Sequence, residues 1–287
     1  ELARRMNYRP NIAARSLAGQ KTGIIGFYIY QMDHAMHPTL SQVLQGVTKI
    51  VAKEGYNLLL ILAGGENENV DTLSQNYIDG LLIPTQETPD DDLVALEQQN
   101  TPYVLINRDD RTGNRYTASI DYKRVSYEIT EYLYLQGHRR IAFLSGPEDF
   151  WISRTMLAGY REASEKYLSG VQLIRFGTFS EKDGYFLASS LLELPEPPTA
   201  FFGEDFMIAG ALRTIKDRGL SVPDDVALVG INDVPLIASL EPPISSMKLP
   251  MEQLGERAAS VLLQMLKGKK TNRKIMLPGE LIIRKSS

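Results

Sequence analysis

A chain of 287 residues is too long for one small domain and suits two α/β domains. With 43% hydrophobic and 23% charged residues it has the composition of an ordinary soluble globular protein, and no apolar run approaches a membrane span. Cysteine is absent, which excludes disulfides and thiolate chemistry and is compatible with a reducing cytoplasm. His34, His37 and His138 are too scattered for a structural zinc site, and no cofactor motif is present. No signal peptide is readable in Glu1 to Met6 and the polar stretch after them. Charge is uneven: residues 1–22 carry Arg4, Arg5, Arg9, Arg15 and Lys21 against Glu1, a formal +4 that leaves −8 for the rest of a chain totalling −4. A basic arm on an acidic body fits a protein with one end against a polyanion, or simply a solvated tail.

In chain order, Arg4 to Tyr8 reads as the end of a helix that Pro10 breaks, and Asn11 is a fair N-cap for Ile12 to Ala18. A helix that short is marginal alone in water and needs a partner to form. Apolar runs then predict strands at 23–30, 57–63, 80–84, 103–107 and 117–121. A second series follows at 140–145, 171–176, 199–203 and 226–231. The runs are continuously apolar, as suits parallel strands covered on both faces. Between them, Leu40, Val43, Leu44, Val47, Ile50 and Val51 recur at helical spacing until Gly55. Ser180 with Asp183 reads as a capping box opening a helix at 181–194. Met251, Leu254, Ala258, Val261, Leu262 and Met265 form a last stripe, closed by Gly268. Strand–helix alternation in two series predicts an α/β fold of two doubly wound parallel sheets, with ligand bound at the carboxyl ends of strands in a cleft between them.

Ordered short motifs then carry a family resemblance. They begin with Tyr8-Arg9-Pro10-Asn11, Ala14-Arg15-Ser16-Leu17, Thr22 and Ile25-Gly26. Gly137-His138-Arg139-Arg140-Ile141-Ala142 follows, with Gly146-Pro147 and Leu157-Ala158-Gly159-Tyr160. Thr199-Ala200-Phe201 leads to Asp205, Met207 and Gly210-Ala211-Leu212. Val222-Pro223-Asp224-Asp225-Val226 runs into Gly230, Asn232-Asp233 and Pro242-Pro243. In this order they resemble the hinge and effector core of lactose-repressor/galactose-repressor regulators across essentially the whole chain.

The resemblance implies a helix-turn-helix remnant and hinge in residues 1–20 and a periplasmic-binding-protein-like core joined by three crossovers. Its first subdomain would be 21–136 with 249–277, its second 137–248 with 278–287. It further implies a homodimer whose paired hinge helices enter the minor groove of operator DNA. Leu17 would wedge there, unless it merely packs on the first sheet, with Asn11, Ala14 and Arg15 beside it. Ala18 stands where some relatives carry Lys.

For the effector, a sugar is the leading class, since sugars take planar polar groups and an aromatic face. By position the ligand residues are Asp121, Phe179, Asn232 and Asp205, the third standing where most relatives have Asp. Turn capping for Asp121 and Asn232, and core packing for Phe179, are the plainer alternatives. Met156 replaces an arginine usual before Leu-Ala-Gly-Tyr, and Arg154 is its nearest substitute. Phe150 and Trp151 occupy a loop where polar residues are common, as stacking platforms or as packing. Leu40 replaces a common aromatic behind a lengthened loop whose Asp33 and His37 are further candidates. No Walker A loop, nucleophile turn or dinucleotide fingerprint supports an enzyme. The sequence thus reads as a cytoplasmic, non-enzymatic transcriptional repressor in which ligand reorients the cleft and so orders or melts the hinge. The alternative is a secreted sugar-binding protein with the same core.

Overall fold

A computed structural model describes residues 21–30, 38–63, 77–84, 88–108, 110 and 112–287. The hinge candidates Asn11, Ala14, Arg15 and Leu17, and the loop candidates Asp33, His34 and His37, lie outside the described residues. Both predicted series of strands are present. The first comprises β1 (Ile24–Tyr30), β2 (Asn57–Ala63), β3 (Gly80–Ile83), β4 (Tyr103–Ile106) and β5 (Thr117–Ile120). The second comprises β6 (Ile141–Ser145), β7 (Leu173–Phe176), β8 (Ala200–Gly203) and β9 (Ala227–Asn232). Three short strands not foreseen as such complete them: β10 (Ser245–Lys248), β11 (Lys274–Leu277) and β12 (Glu280–Ile282). The helices are α1 (Pro38–Lys53), α2 (Asp90–Gln98), α3 (Tyr122–Leu135), α4 (Trp151–Tyr167), α5 (Glu181–Leu192), α6 (Asp205–Asp217), the single turn α7 (Pro235–Ala238) and α8 (Met251–Leu266).

The strands form two six-stranded sheets, ordered β11-β5-β4-β3-β1-β2 and β12-β10-β9-β8-β6-β7. Pairings along β1 to β4 and β6 to β9 are parallel, whereas β10 and β12 are antiparallel. Central strands β3, β4, β6 and β8 are buried at every position, as continuous apolar runs require. The edge strand β2 departs from that expectation: Leu59, Leu60 and Leu62 are 42–51% exposed despite an equally apolar run. A run of leucines records hydrophobicity, not how many faces the fold covers.

The chain divides into two compact units, residues 1–119 with 251–275 and residues 120–250 with 276–287. The first division thus falls after Ser119, not after Gln136, so α3 belongs to the second unit. The cause lies in its packing on α4. A Cβ at Gly159 would sit 1.9 Å from the Lys123 carbonyl oxygen and 2.4 Å from Ser126 Oγ, so only glycine admits this approach. Ser126 Oγ donates to the Met156 carbonyl at 2.6 Å across the same contact. In the second unit, Leu144, Phe201 and Leu228 from the sheet meet Leu191 of α5 and Met207, Ile208 and Ile215 of α6 in one cluster. Burying each such side chain stabilises by roughly 1.5–3 kcal/mol. Ser180 caps α5, its Oγ accepting the Asp183 N–H at 3.1 Å, but the box does not close: Asp183 Oδ2 accepts the Thr178 N–H at 2.7 Å in place of the Ser180 N–H.

Candidate functional site

In the second unit the carboxyl ends of β7, β6, β8 and β9 lie side by side, with Ser145 opposite Phe176 and Leu144 opposite Gly203 in the pairing registers. Each strand hands its chain to a loop or helix start at this edge, where a doubly wound sheet gathers ligand-binding groups. After β7, Phe179 adopts φ +61° and turns back over Gly146, where a Cβ would lie 1.8 Å from the ring. Phe150, at the N-cap of α4, tilts against it with ring centroids 6.2 Å apart. Both rings are half-buried, so Phe179 packs on the core while keeping part of its surface open.

After β8 and β9 come the polar groups. Glu204 caps α6, its Oε2 accepting the Phe206 N–H at 2.8 Å, and its Oε1 accepts from Asn232 Nδ2 at 3.3 Å. Asn232, half-buried with φ +106°, is therefore locked to Glu204 rather than merely capping a turn. Sequence reasoning missed Glu204, although its place between a buried strand and an amphipathic helix is a ready signal for a cap facing the edge. Asp205, expected among the ligand residues, is instead fully buried. Its Oδ2 accepts the Val234 N–H at 2.7 Å and its Oδ1 accepts from Ser246 Oγ at 3.0 Å. Burial pushes its carboxyl up to about 8, with the charges of Glu204 and Asp233 adding and the two hydrogen bonds opposing. Asp205 thus ties α6, the β9–α7 turn and β10 together beneath the edge. Asp233 is paired with Arg284 at 2.7 Å, both largely buried.

The other predicted positions separate. Asp121 takes the capping alternative, Oδ1 accepting the Arg124 N–H at 3.1 Å. Trp151 takes the packing one, edge-on to buried Tyr122 at 6.1 Å. Arg154 is exposed and donates to the Asp149 carbonyl, and Met156 is buried in α4. Leu40 is half-buried on α1, in the first unit. Among the described residues, no three of His, Cys, Asp and Glu gather to hold a metal ion, and no helix is long and apolar enough to cross a membrane.

Two units, each a mostly parallel sheet flanked by helices, are the architecture of the binding-protein fold. Consistent with this, residues 130–287 match the periplasmic binding protein-like domain. Over its whole length the chain is 31% identical to the probable HTH-type transcriptional repressor ExuR of Bacillus subtilis strain 168, covering 87% of that protein. It is also 31% identical over 268 residues to the ribose operon repressor of Escherichia coli K12, which spans 90% of this chain and 80% of that one. Among solved structures it resembles a transcriptional regulator CelR–cellobiose complex (TM-score 0.85, 26% identity, 99% of this chain and 88% of that one). It also resembles the Lac repressor dimer bound to operator and the anti-inducer ONPF (TM-score 0.84, 26% identity, 98% and 99% covered). The chain belongs to the lactose-repressor family, and it is a transcriptional regulator rather than a secreted binding protein.

Proposed function

We propose that this regulator senses a carbohydrate at the carboxyl edge of its second sheet. The observation that carries the reading is the pairing of a half-open aromatic couple, Phe150 and Phe179, with the hydrogen-bonded couple Glu204 and Asn232 on adjoining strand ends. An apolar ring face and planar polar groups are what a sugar's C–H surface and hydroxyls require. The cellobiose in a related complex and the ribose operon repressor among the relatives support the class. Phe179, Phe150, Glu204 and Asn232 are the contacts in this reading, with Asp121, Trp151 and Arg154 at its margin. The protein acts in the cytoplasm as a homodimer on operator DNA and performs no chemistry on its ligand. The exposed leucines 59, 60 and 62 on edge strand β2 give a second copy an apolar surface to cover. Ligand binding alters DNA affinity through the segment that contains Asn11, Ala14, Arg15 and Leu17.

Thermal unfolding against a panel of mono- and disaccharides, sugar phosphates and purines tests this. A true effector at about 100 times its Kd adds roughly 2.7 kcal/mol, and Phe179→Ala abolishes the rise. A response to purines alone, or a sugar response that survives Phe179→Ala, refutes it.

A further inference from the structure

The amino edge of the first sheet carries a charge pattern that effector binding does not explain. The chain enters β1 here: Gly23 accepts the Asn57 N–H at 2.8 Å, so β1 and β2 begin together. Thr22 and Gly23 donate their N–H groups to the carboxylate of Asp79, which opens β3. Lys21 reaches across to the carbonyl of Leu266 at 2.9 Å, tying this entry point to the end of α8. The link that follows, Lys267-Gly268-Lys269-Lys270-Thr271-Asn272-Arg273-Lys274, holds five cations and no acid in eight residues, and all five are exposed. Arg273 is placed by its own backbone, whose carbonyl accepts the Thr117 N–H at 2.7 Å. Lys53 ends α1 at the same edge, beside Glu54, which pairs with Lys267.

Seven cations, separated in sequence by up to 253 positions, therefore lie along the amino edge of the first sheet, which runs from β2 to β11, and two carboxylates stand at the end where Lys21, Lys53 and Lys267 gather. One of these, Asp79, is occupied by backbone N–H groups, and the other, Glu54, by Lys267. Basic residues at helix C-termini are stabilising in their own right, which accounts for Lys21 and Lys53. It does not account for Lys269, Lys270, Arg273 and Lys274, which lie beyond the end of α8. In a chain of net charge −4 this concentration at one edge is a footprint for a polyanion. Lys21, the first described residue, stands at this edge, and in the sequence it follows a segment with four arginines.

We propose that this amino edge, through Lys269, Lys270, Arg273 and Lys274 with Lys53 and Lys267 behind them, is a second DNA contact that grips backbone phosphates flanking the site addressed by the segment before Lys21. The contact rests on the reading of that segment as the DNA-binding end. It carries no sequence information; it adds affinity and fixes orientation.

The test is the salt dependence of binding to a mixed-sequence duplex of about 30 base pairs, by fluorescence anisotropy between about 50 and 200 mM NaCl. Each lost phosphate contact lowers the slope of log K against log salt by about 0.9. The triple variant Lys269→Gln/Lys270→Gln/Lys274→Gln is expected to lose about 2–3 in slope and to bind at least tenfold more weakly at low salt. Its melting midpoint stays unchanged, because the three side chains are exposed. Lys182→Gln/Lys216→Gln, exposed in the second unit, leaves the slope intact. An unchanged slope in the triple variant, or no duplex binding by the parent protein at low salt, overturns the proposal. Arg15→Gln separates the two readings: if it has no effect while the triple variant loses slope, the hinge assignment fails and the edge contact stands.

Discussion

Asp205→Asn isolates a buried proton. In the folded protein this carboxyl is pushed from the ordinary 3.8 up to about 8, so it holds its proton long after an unfolded chain has lost it. A folded-state pKa above the unfolded value gives stability that is full at acid pH. That stability drains away as pH rises from about 4 to about 8, then levels. At about 1.4 kcal/mol per pH unit the whole span corresponds to roughly 6 kcal/mol. Asparagine preserves the shape, since its Oδ1 accepts the Val234 N–H and its Nδ2 donates to Ser246 Oγ, but it does not titrate. Urea unfolding followed through Trp151, the only tryptophan and one lying in the second unit, gives the readout. The stability difference, wild type minus variant, is expected to shrink by about 1.4 kcal/mol per unit between pH 5 and 8 and to flatten above. A constant difference across that range would show an ionised carboxylate held by its two donors, and would refute the reasoning.

Other perturbations address the site and the packing beneath it. Gly146→Ala drives a methyl into the Phe179 ring; it is expected to cost about 1–3 kcal/mol and to abolish the effector-induced rise in melting midpoint, and a variant that melts and responds like the parent contradicts the site. Gly159→Ala pushes on the Lys123 backbone carbonyl, which cannot swing aside as a ring can, so chemical denaturation should show a loss at the upper end of the same range. Arg284→Met leaves the carboxylate of Asp233 buried without its cation, a loss of about 3–5 kcal/mol. Adding Asp233→Asn should recover much of it, and a double variant no more stable than the single one argues against charge as the cause.

Both strand series, the α1 and α8 stripes and the Ser180 cap were legible because each is a local code. Apolar runs, three- and four-residue spacing and a serine three residues before an acid need no partner to be read. Phe179 and Asn232 were singled out by position within an ordered set of motifs, and the strand ends bring them to one edge of one sheet. The sequence could not decide which sheet α3 covers, since its buried stripe fits either, and Gly159 with Ser126 settles it only once α4 lies alongside. Nor could it decide between neighbours: Asp205 and Glu204 are adjacent acids at a helix start, and only packing sends the first under the sheet edge and leaves the second beside Asn232. The basic edge is a tertiary property for the same reason. Lys21, Lys53 and the lysines near 270 are unremarkable apart, and they become one surface because parallel strands begin, and their helices end, on the same side of a sheet.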